Sequence, residues 1–500
     1  MDGLERDLSQ VLRLVRSLKN LTAPVNRIPP EVLSLIPDYS DYGQAHQDLI
    51  TLTHVCRRWR DILISRPSLW TLLEFLDVDR TRTYIERSRT SPLDIFLEQE
   101  YGRTYLDDAF SLVIPHVNRV KILQICTGFL PGALQHFRCR TPLLESLHIE
   151  IIDPHSPVLD SMLFNGDLSS LRALSLYRVT TLLPWNNLAN LTFLYLESCT
   201  SRDDFATRLL DLLDSAPLLE KITLINSTPK SSGVPPRRMV PLPRLRKLII
   251  TARPAPSIIL NHLPIPTGAS LTLEFSFRGG EPPFFGYLQN TSPNLGNLAH
   301  ITTVNLCFGD LKCARLNGPS VGIHLYARWE HRGDVSSYTM DRLILRSLGT
   351  PILPTTQRLA ISKYKHSRPA ECQVFRTLSS APNLRALTLT ECNALPFIHA
   401  LDPEKYPHEL VLCPKLEELV FYTNPQHLMH FRTQDLIIMT KNRASKRAKL
   451  WSTIIVGLDE LEHGGEALKL REHVTHMEYR PDDRFPAWGY LPGESIDGSE

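Results

Sequence analysis

The chain has 500 residues, with 55 Lys and Arg against 53 Asp and Glu, a net charge of +2, and 42% apolar residues. That length accommodates several domains or one long repeat array, and so even a charge gives no strong pull toward nucleic acid or anionic membranes. No stretch approaches the ~18 consecutive apolar residues of a membrane span, and the nine scattered cysteines, with no C-x-x-C pair, read as reduced thiols of the cytoplasm or nucleus.

The first predicted element is a helix within residues 1–23. Leu4, Leu8, Val11, Leu12, Val15, Leu18 and Leu21 recur at helical spacing. Glu5, Arg6, Asp7, Arg13, Arg16 and Lys19 interrupt the stretch, so it is no secretory leader. Its apolar stripe suits a partner helix, self-association or local packing, and local packing before the next segment is the expectation.

Pro29-Pro30-Glu31 suits a helix start, because proline at the first position loses no needed donor and an early glutamate favours the positive end of the dipole. Val32, Leu33 and Ile36 then share a stripe, and Pro37 ends the helix. Asp48 suits the cap of the next helix, whose residues Leu49, Leu52, Val55, Cys56, Trp59, Ile62 and Leu63 describe one apolar face. Arg57, Arg58, Arg60 and Asp61 occupy the other face. A third short helix is expected after Pro67, presenting Leu69 and Trp70.

Three motifs thus stand in order: Ile28-Pro29-Pro30-Glu31-Val32-Leu33, His54-Val55-Cys56-Arg57-Arg58-Trp59-Arg60 and Pro67-Ser68-Leu69-Trp70. Together they resemble the F-box, here residues 24–76, a helical module that docks a protein onto the Skp-type linker of a cullin-based ubiquitin ligase. The resemblance implies linker contacts from Ile28, Pro29, Glu31, Val32, Leu33, Ile36, Leu49, Leu52, Val55, Cys56, Trp59, Leu69 and Trp70. So small a module buries little surface alone, and leftover apolar side chains suit a partner. The connection from Pro37 to Gln47 is longer than is usual in the family, and Pro37 replaces an aromatic or aliphatic residue.

Across residues 77–480 an apolar-x-x-apolar-x-apolar frame recurs. Clear copies start at Leu144, Leu171, Leu191, Leu219, Leu245, Leu384 and Leu416, and weaker ones at Val117, Ile301, Met340 and Val474. The first six starts, 117, 144, 171, 191, 219 and 245, are 27, 27, 20, 28 and 26 apart, within the range of leucine-rich repeats. Pro142, Pro217, Pro243, Pro382 and Pro414 stand two residues before the first apolar position, where they are expected to end a preceding helix. The consensus polar position eight residues on holds Cys199, Cys392 and Asn424, but Ile152, Val179, Ser227 and Arg253 do not fit it. The side-chain ladder is therefore expected to be incomplete and the horseshoe irregular.

Ser201 to Ser215 reads as a helix between strands, with Ser201 and Asp204 as a weak capping box. The segments from Lys230 to Pro243 and from Phe277 to Leu298 read as loops on the array, with strands resuming in phase on either side. The basic run Lys441-Asn-Arg443-Ala-Ser-Lys446-Arg447-Ala-Lys449 reads as the solvated face of a helix after Asp435. His463-Gly464-Gly465 has no G-x-S-x-G companion, and His473 with His476 has no further ligand at metal spacing. Residues 481–500, polar and rich in Gly and Pro, read as a loosely ordered tail.

The whole layout resembles the large F-box families of mushroom-forming fungi, in which the Trp70 position is followed by a stretch like Tyr84-Ile85-Glu86-Arg87-Ser88 and Pro92-Leu93. The expected fold is α/β, a three-helix F-box followed by an irregular leucine-rich-repeat solenoid. The resemblance implies a substrate receptor of an SCF-type ligase, with a Skp-type linker, through it a cullin, and a target protein as partners. The alternative is an F-box scaffold acting without ubiquitin transfer. No enzymatic activity, cofactor, metal, nucleic acid or membrane partner is expected. Period-2 alternation sends the repeat leucines inward, which leaves Tyr177, Phe193, Tyr195, Thr223 and Tyr422 on the outward strand face as candidate target contacts.

Overall fold

A computed structural model describes residues 2–39, 45–74, 78–99, 111–127, 137–151, 158–159, 163–181, 187–199, 205–227, 238–252, 257–277, 294–308, 311–317, 322–329, 352–364, 370–405, 411–422, 433–456 and 460–480. Met340, Asn424, the Ser201–Asp204 pair and the 481–500 tail lie outside these residues. The protein is mixed α/β and divides into two units, Met1–Leu191 and Thr192–Glu500. Among the described residues no helix is long and apolar enough to cross a membrane.

The first unit opens with helices α1 (Asp2–Thr22), α2 (Pro30–Leu33), α3 (Ala45–Thr53) and α4 (Arg57–Ile64). Every residue of α1 from Glu5 to Asn20 is exposed, so the expected local packing does not occur over that stretch. After a 3-10 turn at Pro67–Trp70 come β1 (Leu72–Glu74), α5 (Val78–Ser88), β2 (Leu93–Gln99), β3 (Val120–Thr127) and β4 (Ser146–Ile151). A short parallel ladder joins β5 (Val158–Leu159) to β7 (Thr180–Thr181), and β6 (Ala173–Tyr177) lies between them in sequence. The main strands pair in parallel in the order β1-β2-β3-β4-β6. Arg119 is buried at the C-terminal end of α5, where its guanidinium donates to Ser88 Oγ at 3.1 Å and to Ser91 O at 3.0 Å. A cation suits that end of the helix dipole.

The second unit contains β8 (Phe193–Glu197), β9 (Lys221–Ile225), β10 (Lys247–Ala252), β11 (Ser270–Phe277), β12 (Thr303–Phe308), β13 (Leu311–Asn317) and β14 (Gly322–Trp329). It continues with β15 (Arg358–Ser362), β16 (Ala386–Thr390), β17 (Glu418–Tyr422), β18 (Ser452–Val456) and β19 (His476–Arg480). The spatial order is β8-β9-β10-β11-β14-β13-β12-β15-β16-β17-β18-β19, parallel except for β13. The strands therefore do not follow one another as the simple array predicts. A β12-β13-β14 meander is inserted; β14 lacks the leucine frame, and β13 carries only the loose copy Leu311-x-x-Ala314-x-Leu316.

The frame itself lies on the strands in register. Leu194, Ile222, Leu248 and Leu271 are aligned, as are Leu196, Leu224, Ile250 and Leu273, and all are buried. In the first unit Leu123, Leu147 and Leu174 align above Ile125, Ile149 and Leu176. The copy that sequence starts at Val117 is thus displaced by three residues: the frame begins at Val120. Burying each such aliphatic side chain stabilises by roughly 1.5–3 kcal/mol.

Two local devices repeat. The first frame residue closes a turn, its N–H bonding three residues back: Leu144 to Thr141 O, Leu219 to Ala216 O, Leu245 to Leu242 O, Leu384 to Ala381 O and Leu416 to Cys413 O. Each preceding proline therefore occupies the second turn position, for which its fixed φ is suited. This corrects the expectation that these prolines chiefly end helices. At the other end of the strand a left-handed residue follows: Arg178, Ser198, Asn226, Lys363 and Glu391, with φ between 49° and 59°. Strain of roughly 1–2 kcal/mol at each such non-glycine residue is offset by a backbone bond to the neighbouring strand, as from Ser198 N to Ile225 O at 2.7 Å and Lys363 N to Thr390 O at 2.9 Å.

The polar position after the strand is fuller than the sequence suggests. Ser227 is buried, its Oγ accepting from Cys199 N at 2.9 Å and donating to Ile225 O at 3.0 Å. Cys392 Sγ lies 3.1 Å from both Ile361 O and Thr390 O and accepts from Tyr364 N at 3.5 Å. Serine thus performs the work assigned to Asn or Cys.

The basic run also differs from expectation. The helix Thr433–Ser445 ends before Lys446, and Lys441, Lys446, Arg447 and Lys449 are exposed. Arg443 is fully buried instead, donating to Leu412 O at 2.8 Å and Cys413 O at 2.9 Å. Burial pushes its guanidinium down to about 10, which still leaves it charged at neutral pH. Carbonyl acceptors, two of them in the loop after the helix Leu395–Leu401, make the buried cation tolerable.

Candidate functional site

The segment from Pro24 to Trp70 builds the site. The predicted single helix over Leu49–Leu63 is two helices. His54 N bonds to Thr51 O at 2.9 Å and Val55 N to Leu52 O at 3.3 Å, tightening the end of α3. Cys56, at φ −160° and ψ 171°, is extended and caps α4. The break rotates α4 relative to α3, so the continuous apolar face read from spacing does not exist. Its main effect is to turn Val55 outward, 52% exposed.

Asn26 holds the pieces together, and no periodicity argument could have found it. It is buried in the 3-10 turn Pro24–Arg27. Its Oδ1 accepts from Trp59 Nε1 at 3.0 Å, and Cys56 Sγ points to the same oxygen at 3.8 Å. Its carbonyl accepts from Arg58, whose other nitrogen donates to Ile28 O at 2.9 Å. Arg60 Nε donates to Thr53 O at 3.0 Å, across the helix break. Arg58 and Arg60 therefore serve as backbone clamps, not only as a solvated face.

Trp70 joins this segment to α5. Its indole N–H donates to Leu63 O at 2.9 Å, its ring meets Tyr84 edge-on at 4.9 Å, and the Arg87 guanidinium lies 4.3 Å from its centroid. Burial raises the Tyr84 phenol above its ordinary value, against a lowering hydrogen bond and charge from Arg80.

The structure sorts the thirteen predicted linker contacts. Leu33, Leu49, Trp59 and Trp70 are buried and form the core, so they are not surface contacts as the resemblance implied. Their side chains are consumed in packing the short helices. Ile28, Ile36, Leu52, Cys56 and Leu69 are half-buried, while Pro29, Glu31, Val32 and Val55 are exposed. Two further exposed aliphatics, Val25 and Leu35, were missed; with Val32 and Val55 they are 40–52% exposed. Leu35 lies one residue before the predicted stripe residue Ile36, but the α2 helix ends at Leu33 and changes which side chain faces out.

The candidate target contacts also divide. The rings of Tyr177 and His148 meet at a tilt of 50° with centroids 4.9 Å apart in the first unit, and burial lowers the affinity of His148 for a proton. In the second unit Tyr195 donates to Glu197 Oε2 at 2.6 Å, and Lys221 Nζ lies 5.1 Å from the Phe193 ring. These residues and Tyr422 are half-buried. Thr223 is only 2% exposed, a correction to its place on an accessible face. It sits in register between Tyr195 and Ile249, whose larger side chains flank it. Ala360, Thr390, Val420 and Val456 are buried on the same set of alternate positions, so the face is not uniformly open across β15–β18.

The F-box-like family model matches residues 25–75, the segment just described. The chain therefore carries an F-box-like domain, the module of F-box adaptor proteins, whose typical partner is a Skp-type linker. A comparison with curated proteins finds no match.

Proposed function

We propose that this protein is the substrate-recognition subunit of an SCF-type cullin ubiquitin ligase. The F-box-like domain holds the Skp-type linker, and through it the cullin, while the strands beyond it form an irregular leucine-rich-repeat-like solenoid that captures a target protein. The observation that carries the reading is the exposed aliphatic set Val25, Val32, Leu35 and Val55, all within the matched segment. Apolar side chains held out of a packed core suit a partner surface. Ligase chemistry belongs to other subunits, so the chain itself acts by binding and not as an enzyme.

The test is co-purification of the full chain with a Skp-type linker and a cullin. Val32→Asp with Val55→Asp is expected to abolish capture of both while leaving the circular dichroism unchanged, because both side chains already face solvent. Undiminished capture by the folded double variant overturns the assignment of the surface. Failure of the unmodified chain to capture the linker overturns the adaptor reading. Linker capture without a cullin, or without ubiquitin transfer to co-purified proteins, assigns the protein instead to a scaffold role.

A further inference from the structure

We propose that α1 pairs with the α1 of a second copy of this chain as an antiparallel two-helix coiled coil. The helix has 21 residues, roughly 31 Å of length. Leu8, Val11, Leu12, Leu14, Val15 and Leu18 are 49–63% exposed. Leu4, Leu8, Val11, Val15 and Leu18 are spaced 4, 3, 4 and 3, the alternation of a coiled-coil seam. A helix this exposed is marginal in water without a partner.

Charge favours a second copy in the antiparallel sense. Asp2, Glu5 and Asp7 lie in the first two turns, with Arg6 the exception, and Arg13, Arg16 and Lys19 lie beyond the midpoint. The helix dipole rewards such segregation only within the terminal turns, and Arg13 lies well inside them. A parallel pair would set acidic end against acidic end. An antiparallel pair that packs Leu8 on Leu18 of the second copy, and Val11 on Val15, brings Glu5 alongside Lys19. Two-fold symmetry makes that ion pair twice.

The test is sedimentation velocity of the full chain over roughly 1–100 µM, the range in which a short coiled coil associates. A concentration-dependent rise from 56.9 kDa toward twice that mass is expected. Val11→Asp with Val15→Asp should hold the chain monomeric throughout, without loss of folded signal, since both side chains face solvent. Glu5→Lys alone should weaken association at least tenfold, and adding Lys19→Glu should restore it. A chain that stays monomeric at every concentration overturns the proposal, whether or not it binds anionic phospholipid vesicles. So does a dimer indifferent to the aspartates, or a charge swap that fails to restore association.

Discussion

Asn26 and Trp59, 33 residues apart, share a buried hydrogen bond of 3.0 Å from the indole N–H to the amide oxygen. The bond ties the turn before α2 to the first turn of α4. Removing the amide leaves the indole donor buried without its acceptor, a loss of about 1–3 kcal/mol. Asn26→Ala is therefore expected to lower the denaturation midpoint of the full chain. Trp59→Phe keeps an aromatic side chain and loses the donor, so the two changes should couple by at least about 0.5 kcal/mol in a double-mutant cycle. Strict additivity in urea unfolding would show that the bond carries no stability.

Ser227 gives a second expectation. Ser227→Ala removes both the acceptor for Cys199 N and the donor to Ile225 O. A loss of about 1–3 kcal/mol is expected from an unsatisfied buried N–H. Ser227→Asn supplies an oxygen and N–H donors and should recover part of it. Equal melting of the alanine and asparagine variants would remove the ladder role.

The thiols offer a pH test. Eight of the nine cysteines, all but Cys313, are thiols outside any disulfide, with Cys199, Cys392 and Cys413 buried and Cys372 exposed. Burial pushes the thiols of Cys392 and Cys413 up to about 12. In the unfolded chain these thiols ionise near 9.0, so the folded state binds more protons above that pH. Their contribution is fully present below about 9 and is lost as pH rises toward 12. Stability should therefore fall from pH 9 to 10, before the shifted Arg443 enters, and Cys392→Ala should flatten the fall. Under native conditions Cys372 should alkylate first and the buried pair last; mass spectrometry that finds all sites labelled together would refute the ranking.

The strand rows predict opposite outcomes for two classes of substitution. Leu174→Asp and Leu387→Asp place a carboxylate at fully buried positions and should unfold the surrounding strands, at a cost above about 3 kcal/mol. Tyr195→Ala and Tyr422→Ala, at half-buried positions, should leave the fold in place and weaken target capture. Linker capture should survive Leu387→Asp, Tyr195→Ala and Tyr422→Ala, because these positions lie in the second unit and the F-box-like domain in the first. Proteomic capture of an unchanged partner set by both tyrosine variants would move recognition away from the strand face.

Much of this molecule was legible because it rests on repeated apolar side chains. The frame from Leu144 to Leu416 found its strands, and Trp59 with Trp70 marked the helical domain. What periodicity could not read were single polar atoms and backbone breaks. The extended Cys56 interrupts a spacing that is perfect on a helical wheel, and Asn26 acts through an amide that has no pattern. Ser227 substitutes a hydroxyl for an expected Asn or Cys. Arg443 sits inside a basic run and looks solvated until its carbonyl acceptors are seen. Strand β14 has no apolar-x-x-apolar-x-apolar frame, so spacing does not announce its pairing with β11.

That meander has a consequence for the ribosome. The second edge of β11 is covered by β14, yet β11 ends at Phe277 and β14 begins at Gly322. The intervening 44 residues must be synthesised before that edge can close, roughly 2–9 s at ordinary elongation rates. During this interval the nascent chain presents an open strand of alternating Leu271, Leu273 and Phe275. A holdase that shields extended segments should therefore engage translation intermediates stalled between these two strands more strongly than those stalled after Trp329.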